Sequence, residues 1–242
     1  MSRDERHCAA TDGPDKYVDM SLSNNVASSE PLVRFARKLS HDLNNFSTVV
    51  RTYSELLLSD LPTDSPTHAD VVEIQRAAEN MVQYLQRVTR FARAGSMKRV
   101  PVNVDEVARD AAGQFQSRTP ARPVDLRLSS EAVILADATW WRDVLLELLQ
   151  NAHDAAPAES PIILAIVRAN DEVVVSVIDQ GPGFDASVVS HAGEPLVSAK
   201  AGVRGAGMGL AIVSAFCGAV GGTLGQTHED GHTTVSLRLP TE

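Results

Sequence analysis

The hydrophobic pattern is purely helical up to about residue 95 and alternates between strand and helix periods after it, and that change fixes the two kinds of layer the chain can build. From Leu32, the residues Leu32, Ala36, Leu39, Leu43, Phe46, Val50, Tyr53 and Leu57 alternate spacings of four and three. Such a stripe is the seam of a coiled coil or helix bundle. Pro62 and Pro66 bracket Thr63, Asp64 and Ser65, which predicts a helix end near Asp60. A second helical pattern runs through Val71, Ile74, Ala78, Met81, Leu85, Val88 and Ala92 and stops at Gly95. Two helices joined by a short turn form an antiparallel hairpin. A lone hairpin leaves its seam uncovered, so pairing of two hairpins into a four-helix bundle, a homodimer, is the physical expectation.

From Lys98 the pattern alternates. Val100–Val102 reads as extended and 104–117 as helical. Val124–Leu128, Val133–Ala136, Ile162–Val167 and Val173–Asp179 read as strands, and Thr139–Ala156 as a strong helix. A glycine-rich stretch leads into a helix over Gly207–Val220, and strands near Thr223–Thr227 and Thr233–Leu237 follow. Mixed elements of this kind predict an α/β sandwich, one sheet with helices on one face. The expected organisation is a tail over 1–29, a helical hairpin over 30–96 and an α/β domain over 97–242. The tail is polar, with Gly13, Pro14 and a Ser/Asn-rich patch at 21–29, and is expected to be mobile.

Hydrophobic residues make up 43% of the chain, enough for a core. A net charge of −9 argues against a nucleic-acid partner, which would demand a basic face. Cys8 and Cys217 have no metal-ligand spacing and fit a reducing compartment. No apolar run approaches the roughly 18 residues of a membrane span, and residues 1–25 lack the apolar stretch of a signal peptide. The expectation is a soluble cytoplasmic protein without a membrane partner. Residues 1–29 are too few for a sensor domain, so an input would come through the tail, a partner or control of expression.

His41 stands two positions after Leu39 and two before Leu43. At about 100° per residue it faces away from the seam. Its face carries Arg34, Arg37 and Lys38 before it and Asn44, Asn45 and Thr48 after it. Packing explains an exposed imidazole among cations poorly. A neutral ring nitrogen that accepts a phosphoryl group explains it well, with nearby cations stabilising the transferred charge. Asp42 would take the ring proton or fix the tautomer through the other nitrogen. Asn45, one turn on, would orient a water. Arg34, Arg37 and Lys38 also suit an ordinary solvated face.

Three boxes downstream carry nucleotide chemistry. Glu147 and Asn151, four apart in the apolar helix around Val144, Leu145, Leu148 and Leu149, project from one face. An Asn amide oxygen with phosphate oxygens and water suits Mg²⁺. Asp179 ends a buried strand run and can accept from an exocyclic amine such as that of adenine. Gly181 and Gly183 let the backbone approach a flat base, although Gly-Pro-Gly is also an ordinary turn after a strand. Gly205, Gly207 and Gly209 lead into a helix whose free N–H groups would bind phosphate. Lys200 and Arg204 flank that run, either to meet the phosphates or as a polar loop.

Taken together, these residues resemble a two-component sensor histidine kinase over about 30–242. Ser40–Asn45 resembles the H box, in the His-Asp-Leu-Asn-Asn version of nitrogen-regulator-type and hybrid kinases. Glu147–Asp154 resembles the N box, and Asp179–Gly183 and Gly205–Gly209 the two glycine boxes. Glu194–Lys200 resembles the phenylalanine box that opens the ATP lid, and Gly222, Thr223 and Thr233 fit the closing strands. The resemblance implies a Bergerat-type ATP fold of the GHKL group. ATP would lie among Asn151, Asp154, Asp179, Gly181, Gly183, Lys200, Gly205, Gly207, Gly209, Leu210 and Thr233, with Mg²⁺ on Asn151. His41 would be phosphorylated and pass the group to an aspartate of a response regulator receiver domain. Asp42 would be the acidic general base, Glu147 would join the catalytic set, and Asn45 would serve phosphatase activity. Regulator choice would lie on Thr48, Arg51, Thr52, Gln75 and Glu79.

The chain departs from the family pattern in places. Leu196 and Val197 stand where aromatics are usual, and residues 201–204 make a short lid. Asp154 stands where many members carry lysine, and Glu147 where asparagine is commoner. A glutamate there activates water in related chaperone and mismatch-repair ATPases. The alternatives are therefore an ATPase with Glu147 as general base, or a degenerate phosphotransfer protein.

Overall fold

The computed structural model describes residues 18–19, 30–92, 98–184 and 208–242. Helices α1 (Glu30–Asp60) and α2 (Pro66–Ala92) form the antiparallel hairpin. Ser65 accepts the His68 N–H at 3.1 Å and so caps α2, with Pro66 opening its first turn.

On α1 the inner contact of the hairpin is not the apolar seam, whereas on α2 part of the expected stripe provides it. Among the described side chains Ser40, Ser47 and Ser54, seven apart, are the buried ones of α1, and Val71, Ala78 and Leu85 those of α2. Ser40 Oγ donates to the Leu85 carbonyl at 3.3 Å, and Ser47 Oγ donates to the Ala78 carbonyl at 3.2 Å. Small hydroxyl side chains let the two backbones approach, and each finds an acceptor on the facing helix. The larger residues then point outward. Phe46 and Tyr53 are each 65% exposed, and Leu39, Leu57, Ile74 and Met81 are exposed as well.

The remainder is an α/β sandwich, as its pattern predicts. Its elements are β2 (Val100–Asn103), α3 (Val104–Arg118), β3 (Val124–Ser129), β4 (Val133–Ala136) and α4 (Ala138–Ala155). There follow β5 (Ile162–Ala169), β6 (Glu172–Asp179), α5 (Gly209–Val220), β7 (Thr223–Glu229) and β8 (His232–Pro240). With β1 at Val18–Asp19, the main sheet has the order β1-β7-β8-β6-β5-β3. Only β3 and β5 pair in parallel within it. Val173, Val175 and Val177 alternate into the core from β6. Opposite them, Leu145, Leu148 and Leu149 of α4 and Ile212, Val213 and Phe216 of α5 are fully or almost fully buried. Trp141 stacks on Phe216 at 5.4 Å between ring centroids.

Two expectations change. A single sheet was expected, but β2 and β4 pair apart from the main sheet. Each runs directly into a helix cap: Asn103 accepts the Glu106 N–H, and Asp137 accepts those of Thr139 and Trp140. The chain therefore turns directly into α3 and α4 at the ends of these strands. Within the stretch expected to be a tail over 1–29, β1 (Val18–Asp19) pairs antiparallel with β7 through Gln226 and Gly225. The otherwise open edge of β7 supplies the partner groups. The hairpin is not separate from the sandwich either, since Tyr84, Val88 and Phe91 of α2 pack against the α/β core.

Candidate functional site

Asp179 ends β6, and its carboxylate is buried. The Gly181 N–H donates to Asp179 Oδ1 at 2.6 Å, closing a tight turn over the strand end. Burial pushes the carboxyl above the usual aspartate range; the Gly181 hydrogen bond and the charges of His228, Arg122 and His232 act in the other direction. A side chain at Gly181 is impossible without movement: its Cβ would stand 2.7 Å from Asp179 Oδ1 and 2.9 Å from Ala155 Cβ. Gly183 has φ +81°, a left-handed conformation suited to glycine.

Thr233 faces Asp179 across the β6–β8 ladder. Its hydroxyl donates to the Gly181 carbonyl at 3.0 Å and lies 3.1 Å from His228 Nδ1. Because that hydroxyl proton is committed to Gly181, the His228 ring nitrogen is the donor to Thr233. Thr233 thus holds the glycine turn from below, and His228 packs beneath Gly183. No pattern in the sequence singles out His228.

The N-box residues lie one turn apart on α4. Gly209, the first residue of α5, stands directly beside them: a Cβ there would meet Asn151 Nδ2 at 3.1 Å and Glu147 Oε2 at 3.4 Å. The two expected boxes are therefore one place in space. Met208 gives the start of α5 no side-chain cap, so the backbone donors of its first turn remain suited to an anion. Leu210 is half-buried against the core. Asp154 is exposed near the end of α4 and accepts from Gln150 Nε2 at 2.8 Å. Lys200, Arg204, Gly205, Gly207 and the Glu194–Lys200 stretch lie outside the described residues.

Glu147 is buried, and Arg87 of α2 donates to it through Nε at 2.9 Å. The sequence reading missed Arg87, whose partner is 60 residues away. It also missed Arg122, which is buried and bonded along the end of α4.

His41 stands away from this cluster in sequence and is open to solvent, with its side chain 74% exposed. Its Nδ1 lies 3.3 Å from Asp42 Oδ1, and Lys38 Nζ lies 3.8 Å from Asp42 Oδ2. An Nδ1–H donated to Asp42 leaves Nε2 as the unprotonated, outward nitrogen. Asn45 is exposed one turn on. Arg34 is exposed on the preceding turns, while the side chain of Arg37 lies outside the described residues.

A helix-flanked sheet carrying Asp179 with its glycine turn, and Asn151 beside the start of α5, defines an ATP-binding domain of the Bergerat type. Residues 136–242 match the family of histidine kinase-, DNA gyrase B- and HSP90-like ATPases. The relatives extend the match across the hairpin, and over most of its length the chain is similar to sensor histidine kinases. It is 31% identical over 212 residues to the C4-dicarboxylate transport sensor protein DctB of Pseudomonas aeruginosa, covering 83% of this chain and 34% of that protein. It is 29% identical to the probable sensor histidine kinase TcrY of Mycobacterium tuberculosis, covering 93% of this chain and 49% of TcrY. The chain thus spans half or less of the length of these relatives. Full-length ShkA, solved in complex with AMPPNP, superposes with a TM-score of 0.67 at 25% identity, over 88% of this chain and 46% of that one.

Proposed function

We propose that this chain is an ATP-dependent protein-histidine kinase that phosphorylates His41 and passes the group to an aspartate of a response regulator. The observation that carries this reading is the His41–Asp42 pair: an exposed ring with Nδ1 held by a carboxylate. The same chain carries an ATPase-family domain, which supplies the donor. Residues 30–96 serve as the dimerising phosphotransfer hairpin and 97–242 as the catalytic domain.

Asp179 accepts from the adenine amine, and Gly181 leaves room for the base. Asn151 would hold Mg²⁺, which neutralises phosphate charge and orients the terminal phosphoryl group. The residues fit that ion: the Asn151 amide, with its oxygen and nitrogen, lies beside the uncapped start of α5, where a Cβ on Gly209 would crowd it. Gly209 and Leu210 border the phosphates there, and Lys200, Gly205 and Gly207 would complete their cradle.

His41 Nε2 attacks the terminal phosphorus as the bond to the bridging oxygen breaks, and ADP leaves. The positive charge that forms on the ring is balanced by Asp42, which accepts from Nδ1. Asn45 is placed to orient water against the phosphorylated ring, which supports a phosphatase activity. The exposed stripe of Leu39, Phe46, Tyr53 and Leu57 supports a homodimer. Thr48, Arg51, Thr52 and Glu79 lie on the exposed surface open to a receiver domain, with Gln75 partly buried beside them. Among the described residues no helix is long and apolar enough to cross a membrane, which supports a cytoplasmic location for this part.

An ATPase with Glu147 as water-activating base is disfavoured by its engagement with Arg87. Incubation with γ-labelled ATP and Mg²⁺ tests the proposal. Acid-labile, alkali-stable label on the native chain, absent from His41→Gln and from Asp179→Ala, is the expected result. Steady phosphate release that survives His41→Gln and dies with Glu147→Ala would support the ATPase instead.

A further inference from the structure

We propose that Arg122 is a positioning residue for recognition of the nucleotide base: its buried guanidinium holds the end of α4 against the Gly181 turn and thereby sets the Asp179 carboxylate. The inference rests on the reading that Asp179 accepts from the adenine amine.

Arg122 lies in the loop between α3 and β3 and is 3% exposed. Its Nη1 donates to the Pro157 carbonyl at 2.5 Å, to the Ser160 carbonyl at 2.7 Å and to Ser160 Oγ at 3.2 Å. Its Nη2 donates to the carbonyls of His153 and Ala156, both at 3.3 Å, and its Nε to His153 Nδ1 at 3.2 Å. The last carbonyls of a helix have no partner within it, and a cation there also meets the negative end of the helix dipole. The planar fork of arginine satisfies several acceptors at fixed angles, which the single ammonium of lysine cannot do.

Of the two residues between those carbonyls, Ala155 is the one beside the site. Ala155 lies so close to Gly181 that a Cβ on the glycine would come within 2.9 Å of Ala155 Cβ and 3.1 Å of its carbonyl carbon. Gly181 in turn donates to Asp179 Oδ1. The path runs from the guanidinium to the helix-end carbonyls, along the backbone to Ala155, across its close approach to Gly181, and through the Gly181 N–H to the carboxylate. Charge follows the same path, since Arg122 favours the ionised form of Asp179. The other groups acting on that carboxylate are the Gly181 N–H on its own turn, His228 from β7 and His232 from β8. A residue that merely capped α4 would change stability alone; a positioning residue also changes which base is preferred.

The test measures ADP and IDP binding to the full chain by calorimetry between pH 5.5 and 8, for native protein, Arg122→Lys and Arg122→Gln, with the melting temperature alongside. IDP carries a carbonyl where ADP carries the amine, so an acceptor carboxylate distinguishes them. The native chain is expected to prefer ADP. Arg122→Lys is expected to lose about tenfold of that preference, the scale of one charge-assisted hydrogen bond. Arg122→Gln is expected to lose preference and also to move the midpoint of ADP binding to higher pH. Folded variants with the native ADP/IDP ratio and midpoint, altered only in melting temperature, would overturn the proposal. If neither arginine variant folds, His153→Leu, which removes the Nδ1 acceptor, is judged by the same ratio. If the native chain does not distinguish the two nucleotides and Asp179→Asn changes neither affinity, the reading of Asp179 itself fails.

Discussion

Replacing Arg87 by methionine removes a charged contact between α2 and the N-box helix while keeping most of the aliphatic stem. The Arg87–Glu147 pair is 2.9 Å long, with side chains 23% and 7% exposed. At that separation and an effective dielectric constant near 20, the gross attraction is about 6 kcal/mol. Desolvating Glu147 offsets several kcal/mol of it. The net coupling should be about 2 kcal/mol, in the range of hydrogen bonds to charged groups and above the roughly 0–1 kcal/mol of exposed pairs. A double-mutant cycle with Arg87→Met, Glu147→Gln and both together, read from urea unfolding midpoints, isolates that term. Each single variant is expected to lose stability, and the double variant to lose clearly less than their sum. Additivity within about 0.3 kcal/mol would refute the claim that this pair ties the hairpin to the nucleotide domain.

Asp179 gives opposite signs for binding and stability. Burial raises its folded pKa above the unfolded value, so the ionised form costs stability, and that cost disappears as pH falls through the folded pKa. ADP affinity should instead fall over the same window as the acceptor becomes protonated. Calorimetry and thermal unfolding from pH 7.5 to 5 check both, and parallel trends would contradict the assignment. Gly181→Ala forces a carbon to within 2.7 Å of Asp179 Oδ1; it should cost about 1–3 kcal/mol by overpacking and lose most nucleotide binding. Retained affinity would show that the turn does not bound the base. Phe46→Glu with Tyr53→Glu should give a monomer in analytical ultracentrifugation without loss of helical circular dichroism, and a persistent dimer would place the interface elsewhere.

The hairpin and the sandwich were legible because their hydrophobic periods differ, and most strands end within a residue or two of their expected limits. Asp179, Asn151 and Gly209 were legible because turn, strand-end and helix-start chemistry is local. The inner hairpin seam was not, although Ser40, Ser47 and Ser54 repeat every seven residues opposite Val71, Ala78 and Leu85. Serine at a helix contact reads as surface until its hydroxyl is seen to reach a facing carbonyl. Arg87, Arg122 and His228 were invisible for a second reason. Arg87 and Arg122 act through partners distant in sequence, and His228 through its neighbour Thr233 and the glycine turn across the sheet; no spacing along the chain encodes these contacts. Val18–Asp19 is too short to carry a strand pattern of its own.

Phosphorus-31 magnetic resonance of the native chain, incubated with ATP and Mg²⁺ and compared with His41→Gln, tests the central claim most directly because it sees phosphohistidine and free phosphate together. With Nδ1 held at 3.3 Å by Asp42, the prediction is a single Nε2-phosphohistidine signal on the native chain and none on the variant. Free phosphate accumulating equally in both samples, with no phosphohistidine signal, would contradict it.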